Sequence, residues 1–221
     1  MCASIAIAQE AKRLSFSSLP FCPPQTCLYY AGDFDSHSSN ANGLFNANSS
    51  GIGEGQVWVG VKPTENVTVT GATFNECMAM GVETGVNPTP FEVQVGIKPG
   101  HAGKTVCRAH GTATAKSYQF DQICDQASFT IKKLSSSCKL SRNKTYFINL
   151  LPTYNDNNYG FLSDVEDKPA QNHVGWKNLW DESYFNSVSF GETYEPAWGS
   201  GGACSGLGCD AFSIALTGAR R

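Results

Sequence analysis

The run Gly32-Asp33-Phe34-Asp35-Ser36-His37-Ser38-Ser39-Asn40-Ala41-Asn42-Gly43 carries two carboxylates and two carboxamides, in two alternating pairs. Hard oxygen donors so spaced suit Ca2+, which takes about six to eight oxygens, and Asp33, Asp35, Asn40 and Asn42 are the candidate ligands. The spacing differs from an EF-hand loop, because no acidic residue closes it at the twelfth position. Asp, Asn and Ser also hold turns by bonding the nearby backbone, so a turn without metal competes with the calcium reading.

A second concentration lies between Phe161 and Trp198. It gathers Asp164, Glu166, Asp167, Asp181, Glu182, Glu192 and Glu195 among Trp176, Trp180, Tyr184, Tyr194 and Trp198. Aromatic rings that stack on sugar faces, beside carboxylates able to act as acid and base, are what a carbohydrate site needs. Trp176, Trp180, Tyr184 and Trp198 are therefore the candidate ligand-binding residues, with a surface glycan as the expected ligand. A β-sandwich core uses the same aromatic residues, and no spacing singles out a catalytic pair. A binding module would expose two or three of these residues, or Trp58, on one face.

Other chemistries find little support. The histidines at 37, 101, 110 and 173 are scattered without an H-E-x-x-H pattern, no G-x-S-x-G elbow is present, and Gly199-Ser200-Gly201-Gly202 lacks the lysine of a phosphate loop. No catalytic centre is identifiable. Asn48, Asn66 and Asn143 stand in sequons that would accept glycans in a eukaryote.

The elements that must position these residues are signalled first by cysteines. Eight of the nine, Cys22, Cys27, Cys77, Cys107, Cys124, Cys138, Cys204 and Cys209, fall into close pairs in a chain rich in Gly, Asn, Ser and Thr. That usage points to an oxidising, extracytoplasmic setting. Pairing sequence neighbours gives Cys22/Cys27, Cys77/Cys107, Cys124/Cys138 and Cys204/Cys209. Four thiolates also suit zinc, but the four-residue spacings occur only twice and far apart, and without a C-x-x-C a redox role is disfavoured.

Gln56-Val57-Trp58-Val59-Gly60-Val61, Val67 to Phe74 and Phe91 to Ile97 alternate with period two, the signature of half-buried strands. Ser128 to Ile131, Lys144 to Leu151 and Ala211 to Leu216 add further strands, and Asn178 to Tyr184 is at most a single helical turn. Many short strands without helices predict an all-β, two-sheet antiparallel sandwich, jelly-roll or Ig-like, stapled by disulfides. With 221 residues, 41% of them hydrophobic and 11% aromatic, one core is expected over residues 22–221. Long irregular segments are expected at 32–56 and 155–208, and such loops are often functional. Residues 1–21 read as an export-signal remnant or N-terminal arm, since Ala6-Ile7-Ala8 has the small-x-small form of a processing site. A net charge of −3 with 16% charged residues offers no basic footprint for nucleic acid or anionic lipid, and no run is long and apolar enough to span a bilayer.

Several stretches resemble a loosely defined group of exported bacterial proteins of acidobacterial type, related to those with interchangeable C-terminal surface anchors. They are Tyr30 to Asp35, Asn40 to Leu44, Thr145 to Leu150, Ser183 to Ser187, and Trp198 to Cys204 with Cys209 to Ser213. The resemblance implies a secreted or cell-surface β-sandwich and carries no activity with it. Leu216 to Arg221 departs from the anchored members in lacking a hydrophobic anchor. The expected function is a structural or binding role outside the cell. Carbohydrate binding or turnover is one alternative, and self-assembly into a filament or surface layer, with an N-terminal segment adding a strand to another copy, is a second.

Overall fold

The computed structural model describes residues 22–23, 25–34, 43–49, 53–78, 89–118, 125–154, 160–163, 165, 173–197 and 211–221. In chain order the strands are β1 (Cys27–Tyr30), β2 (Gly43–Phe45), β3 (Ala47–Ser49), β4 (Gly53–Val61), β5 (Val67–Met78), β6 (Thr89–Val95), β7 (Lys104–Gly111) and β8 (Ala113–Tyr118). They continue as β9 (Asp125–Ile131), β10 (Cys138–Leu140), β11 (Tyr146–Leu150), β12 (Thr153–Tyr154), β13 (Gly160–Ser163), β14 (Tyr184–Ser187), β15 (Glu192–Pro196) and β16 (Ile214–Arg220). A 3-10 turn, Trp180–Glu182, precedes β14. Every strand pair is antiparallel except β12 with β3.

These strands form two eight-stranded sheets, giving the antiparallel sandwich that the alternation predicts. In the first, β5 is long enough to carry four partners. Along one edge it meets β10 and then β9, and along the other β16 and then β13. In the second, the path runs β12-β3-β4-β11-β6-β7, with β14 and β15 added beside β4. The chain passes from one sheet to the other between β7 and β8 with only Thr112 between them, so one ribbon forms an edge of both sheets. Alternate residues explain the core. Val57, Val59 and Val61 of β4, Val67, Val69, Phe74 and Met78 of β5, and Tyr146, Ile148 and Leu150 of β11 join one apolar cluster that runs through both sheets.

The cysteines staple this frame differently from the expected pairing. Cys22 is joined to Cys27 as expected, but Cys107 of β7 is joined to Cys138 of β10, across the two sheets. Nearest-neighbour pairing fails because strand order, not sequence distance, decides which cysteines meet. Cys77 is also disulfide-bonded, whereas Cys124, Cys204 and Cys209 lie outside the described residues.

The segments expected to be irregular contain β2, β3, β13, β14, β15 and the start of β4. Apart from β4 these strands are three to five residues long, and pairing defines them more than their own pattern does: β3 and β14 pair with β4, β13 with β5, β2 with β13 and β15 with β14. β1 pairs with β16 of the same chain. No helix among the described residues is long and apolar enough to cross a membrane.

Polar groups also cross the core. Asn46 fills a gap beside β4, accepting from the Val57 N–H at 3.1 Å and donating to Leu150 O at 2.7 Å and to Glu76 Oε1 at 2.9 Å. Tyr154 lies 2.6 Å from Glu76 Oε2 and 3.5 Å from Met78 Sδ. Gly160 leaves room for this carboxyl, since a Cβ on it would come 2.4 Å from Glu76 Oε2 and push it from its place. At the surface, Arg220 Nε meets Glu65 Oε1 at 2.7 Å with both side chains well exposed. Arg220→Ala is accordingly expected to cost no more than about 1 kcal/mol in denaturant unfolding, since water screens such pairs.

Candidate functional site

The outer face of the second sheet departs from the solvated polar surface that an antiparallel sheet usually presents. Trp58 of β4, Phe147 of β11 and Ile97 form a separate buried cluster, and Tyr184 of β14 and Tyr194 of β15 pack against it half-buried. Strand alternation puts them there. Val57 and Val59 point into the sandwich and Trp58 points out, while Phe185 points in and Tyr184 out.

Pairing builds the patch. Tyr184 stands opposite Trp58, and Phe147 opposite Gly60. Gly60 must lack a side chain, because a Cβ would meet Glu182 O at 2.5 Å where the 3-10 turn crosses β4. The Gly60 N–H donates to Ser183 Oγ at 3.3 Å, which fixes the turn over the strand. On the far side the segment after β6 reaches β15, where the Gly100 N–H donates to Thr193 O at 3.1 Å. The rings touch with centroids 6.3 Å apart for Trp58 and Tyr194 and 5.5 Å for Phe147 and Tyr184.

Carboxylates surround the aromatic patch. Burial raises the Tyr184 phenol above its ordinary range, and the nearby charges of Glu182 and Asp181 add to the rise. Burial raises Tyr194 too, with Glu92 and Glu54 adding and a hydrogen bond with Gln94 opposing. Partial burial works to raise Glu92 itself, but bonds from Thr105 at 2.5 Å, Gln94 at 3.1 Å and Arg108 at 3.3 Å outweigh it and hold the carboxyl below its usual value. Two features at the centre are costly. Trp58 Nε1 is buried without a hydrogen-bond partner among the described residues, and Tyr194 has φ 49°, in the left-handed region that bulky residues avoid.

Of the residues singled out in the sequence, Tyr184 lies in this patch. Trp176 does not. It is buried in the main core, stacked on Tyr29 with ring centroids 5.5 Å apart. Trp58, the other tryptophan whose burial is described, is buried beneath the patch rather than exposed on a platform. The Trp180 backbone belongs to the 3-10 turn, and Trp198 lies outside the described residues. Asp33 is buried and its Oδ1 accepts from Tyr30 Oη at 2.6 Å, while Asp35, Asn40 and Asn42 lie outside the described residues. Among the described residues no three His, Cys, Asp or Glu side chains gather as a metal site. Sequence reasoning missed Phe147 and Gln94, whose signal was only the outward phase of strands read for their inward residues. Comparison with protein-family models, curated proteins and solved structures finds no match to this chain.

Proposed function

We propose that this protein is a secreted or cell-surface β-sandwich with a binding role, and that the outer face of its second sheet is the recognition surface, with a glycan as ligand. The observation that carries this reading is the convergence of Trp58, Phe147, Tyr184 and Tyr194 from four strands on a face normally left to water. The half-buried Tyr184 offers flat apolar area for a sugar ring. Glu92, Gln94 and Glu182 beside them supply acceptors and a donor for its hydroxyls. The disulfides favour action outside the cytoplasm.

The test is calorimetric titration of the oxidised protein with hexasaccharides of β-1,4-linked glucose, N-acetylglucosamine and mannose. At least one is expected to bind, and Tyr184→Ala is expected to weaken that binding tenfold or more, whereas replacing exposed Val106 of β7 leaves it unchanged. Equal binding by all three proteins would move the site elsewhere. No binding to any of the sugars would overturn the glycan reading.

The self-assembly alternative rests on β7. Its outer edge at Lys104 to Val106 has no strand partner among the described residues, and Val106 is 44% exposed. Such an edge can accept a strand from another copy. Sedimentation that shifts with protein concentration, and is abolished by Val106→Lys, would support it over glycan recognition.

A further inference from the structure

We infer that Tyr194 is a strained cover over a cryptic sugar subsite floored by Trp58, and that ligand entry displaces it. This inference rests on the recognition face proposed above and deepens it. Tyr194 packs against the indole with ring centroids 6.3 Å apart. Its backbone has φ 49°, a conformation that persists for a bulky residue only when its surroundings enforce it. Tyr194 stands in the irregular stretch of the β14–β15 pairing, between Phe185 opposite Glu195 and Ser187 opposite Glu192, and it is held there by a hydrogen bond with Gln94 and by packing against the Trp58, Ile97 and Phe147 cluster. Beneath the cover, Trp58 Nε1–H is buried without an acceptor among the described residues, a state that native interiors rarely tolerate.

Two local costs thus meet at one contact, and a single movement relieves both. When Tyr194 leaves the indole, its backbone can relax to an extended conformation, and a ligand oxygen can accept from Nε1–H. The ligand must bring an apolar ring face for the indole and an acceptor oxygen at its rim. A pyranose has both. Glu92 and Gln94, adjacent through β6, then take hydroxyl donors from the same ring. Because closure competes with binding, the closed cover lowers the apparent affinity by the fraction of molecules that are closed.

The probes are the three hexasaccharides named above, with the indole Nε1–H resonance of Trp58, assigned by loss in Trp58→Phe, as readout. Tyr194→Gly keeps the positive φ accessible while removing the cover, and Tyr194→Asn tolerates the same backbone should the glycine variant fold poorly. The inference expects the Trp58 resonance to move on saturation of the unsubstituted protein. It also expects either Tyr194 variant to bind the same sugar at least tenfold more tightly, equal to about 1.4 kcal/mol. Sugar binding that leaves the Trp58 resonance in place and is not tightened in either variant would overturn the cover while leaving the recognition face intact. Absence of binding in all the proteins would overturn both.

Discussion

Glu76→Gln is expected to stabilise the protein by roughly 3 kcal/mol at pH 7 and to leave it unchanged near pH 4. The wild-type carboxyl is fully buried between the sheets, and burial pushes its pKa from 4.5 up to about 8, against the opposing bonds from Tyr154 and Asn46. In the folded protein it therefore holds its proton through neutral pH, while the unfolded chain has released it. Folding above pH 4.5 takes up that proton at a cost of about 1.4 kcal/mol per pH unit, until the folded pKa is passed. The contribution of Glu76 is thus fully present below pH 4.5 and is lost as pH rises to about 8.

Glutamine fits the same bonds without a proton to hold. Its carbonyl accepts from Asn46 Nδ2 in place of Oε1, and the Tyr154 hydroxyl, which donates to Glu76 Oε2 in the wild type, turns to donate to Met78 Sδ and accepts from the new amide. Guanidinium unfolding under oxidising conditions, at pH 5 and pH 8, is the measurement. Wild-type stability should fall between these pH values by more than that of Glu76→Gln. Parallel pH profiles would mean that the carboxyl ionises in the fold. Glu76→Ala should lose stability at both, because it strands Asn46 and Tyr154 in the core.

The double variant Cys107→Ala, Cys138→Ala should be less stable by about 3 to 4 kcal/mol and melt about 10 °C lower. The bond closes a loop of sequence separation 31 and ties β7 of one sheet to β10 of the other. Without it the unfolded chain regains that loop freedom, and the edge strand β7 loses its covalent hold on the opposing sheet. The Cys22/Cys27 bond, at sequence separation 5, should be worth only about 2 kcal/mol in the same chain-entropy account. Non-reducing peptide mapping supplies the direct check. Recovery of Cys107 joined to Cys77 would restore the neighbour pairing and remove the basis for this ranking.

The parts of the fold legible in the sequence were those whose burial is one-sided. β4, β6 and β11 face the core with every second residue, so alternation marks them. β1 is buried at all four positions and has no alternation to read. β5 was read only to Phe74, because Asn75, Glu76 and Cys77 break the apolar pattern. In the structure those groups are buried, with Asn75 bonded to Ser213 and to Ser128, and Glu76 to Asn46. Partners so distant in sequence leave no local trace. β7 escaped notice for the opposite reason: its exposed positions include Val106, and its inward ones are the small Cys107 and Ala109.

The candidate site was legible as a composition and not as a place. Aromatic and acidic residues near the C-terminus are visible and group Tyr184 with Trp176, Trp180 and Trp198, but its strand partner is Trp58, some 126 positions earlier by residue number. Trp176, alike in sequence context, serves the core instead, because its segment crosses β1 through the Tyr30 and Val174 backbone pairing. Only the addition of β14 to β4 separates the two roles.

The position of β16 has a consequence for how the chain can be made. It lies between β1 and β5, pairing Thr217 with Cys27 on one side and Ile214 with Phe74 on the other. The first sheet therefore stays open until residues 214–220 have been synthesised, and its first strand waits for them throughout elongation. Contacts of such long sequence separation form slowly. Closure of the first sheet is thus a late event in the making of the chain, because β16 is the last of the described strands to be synthesised.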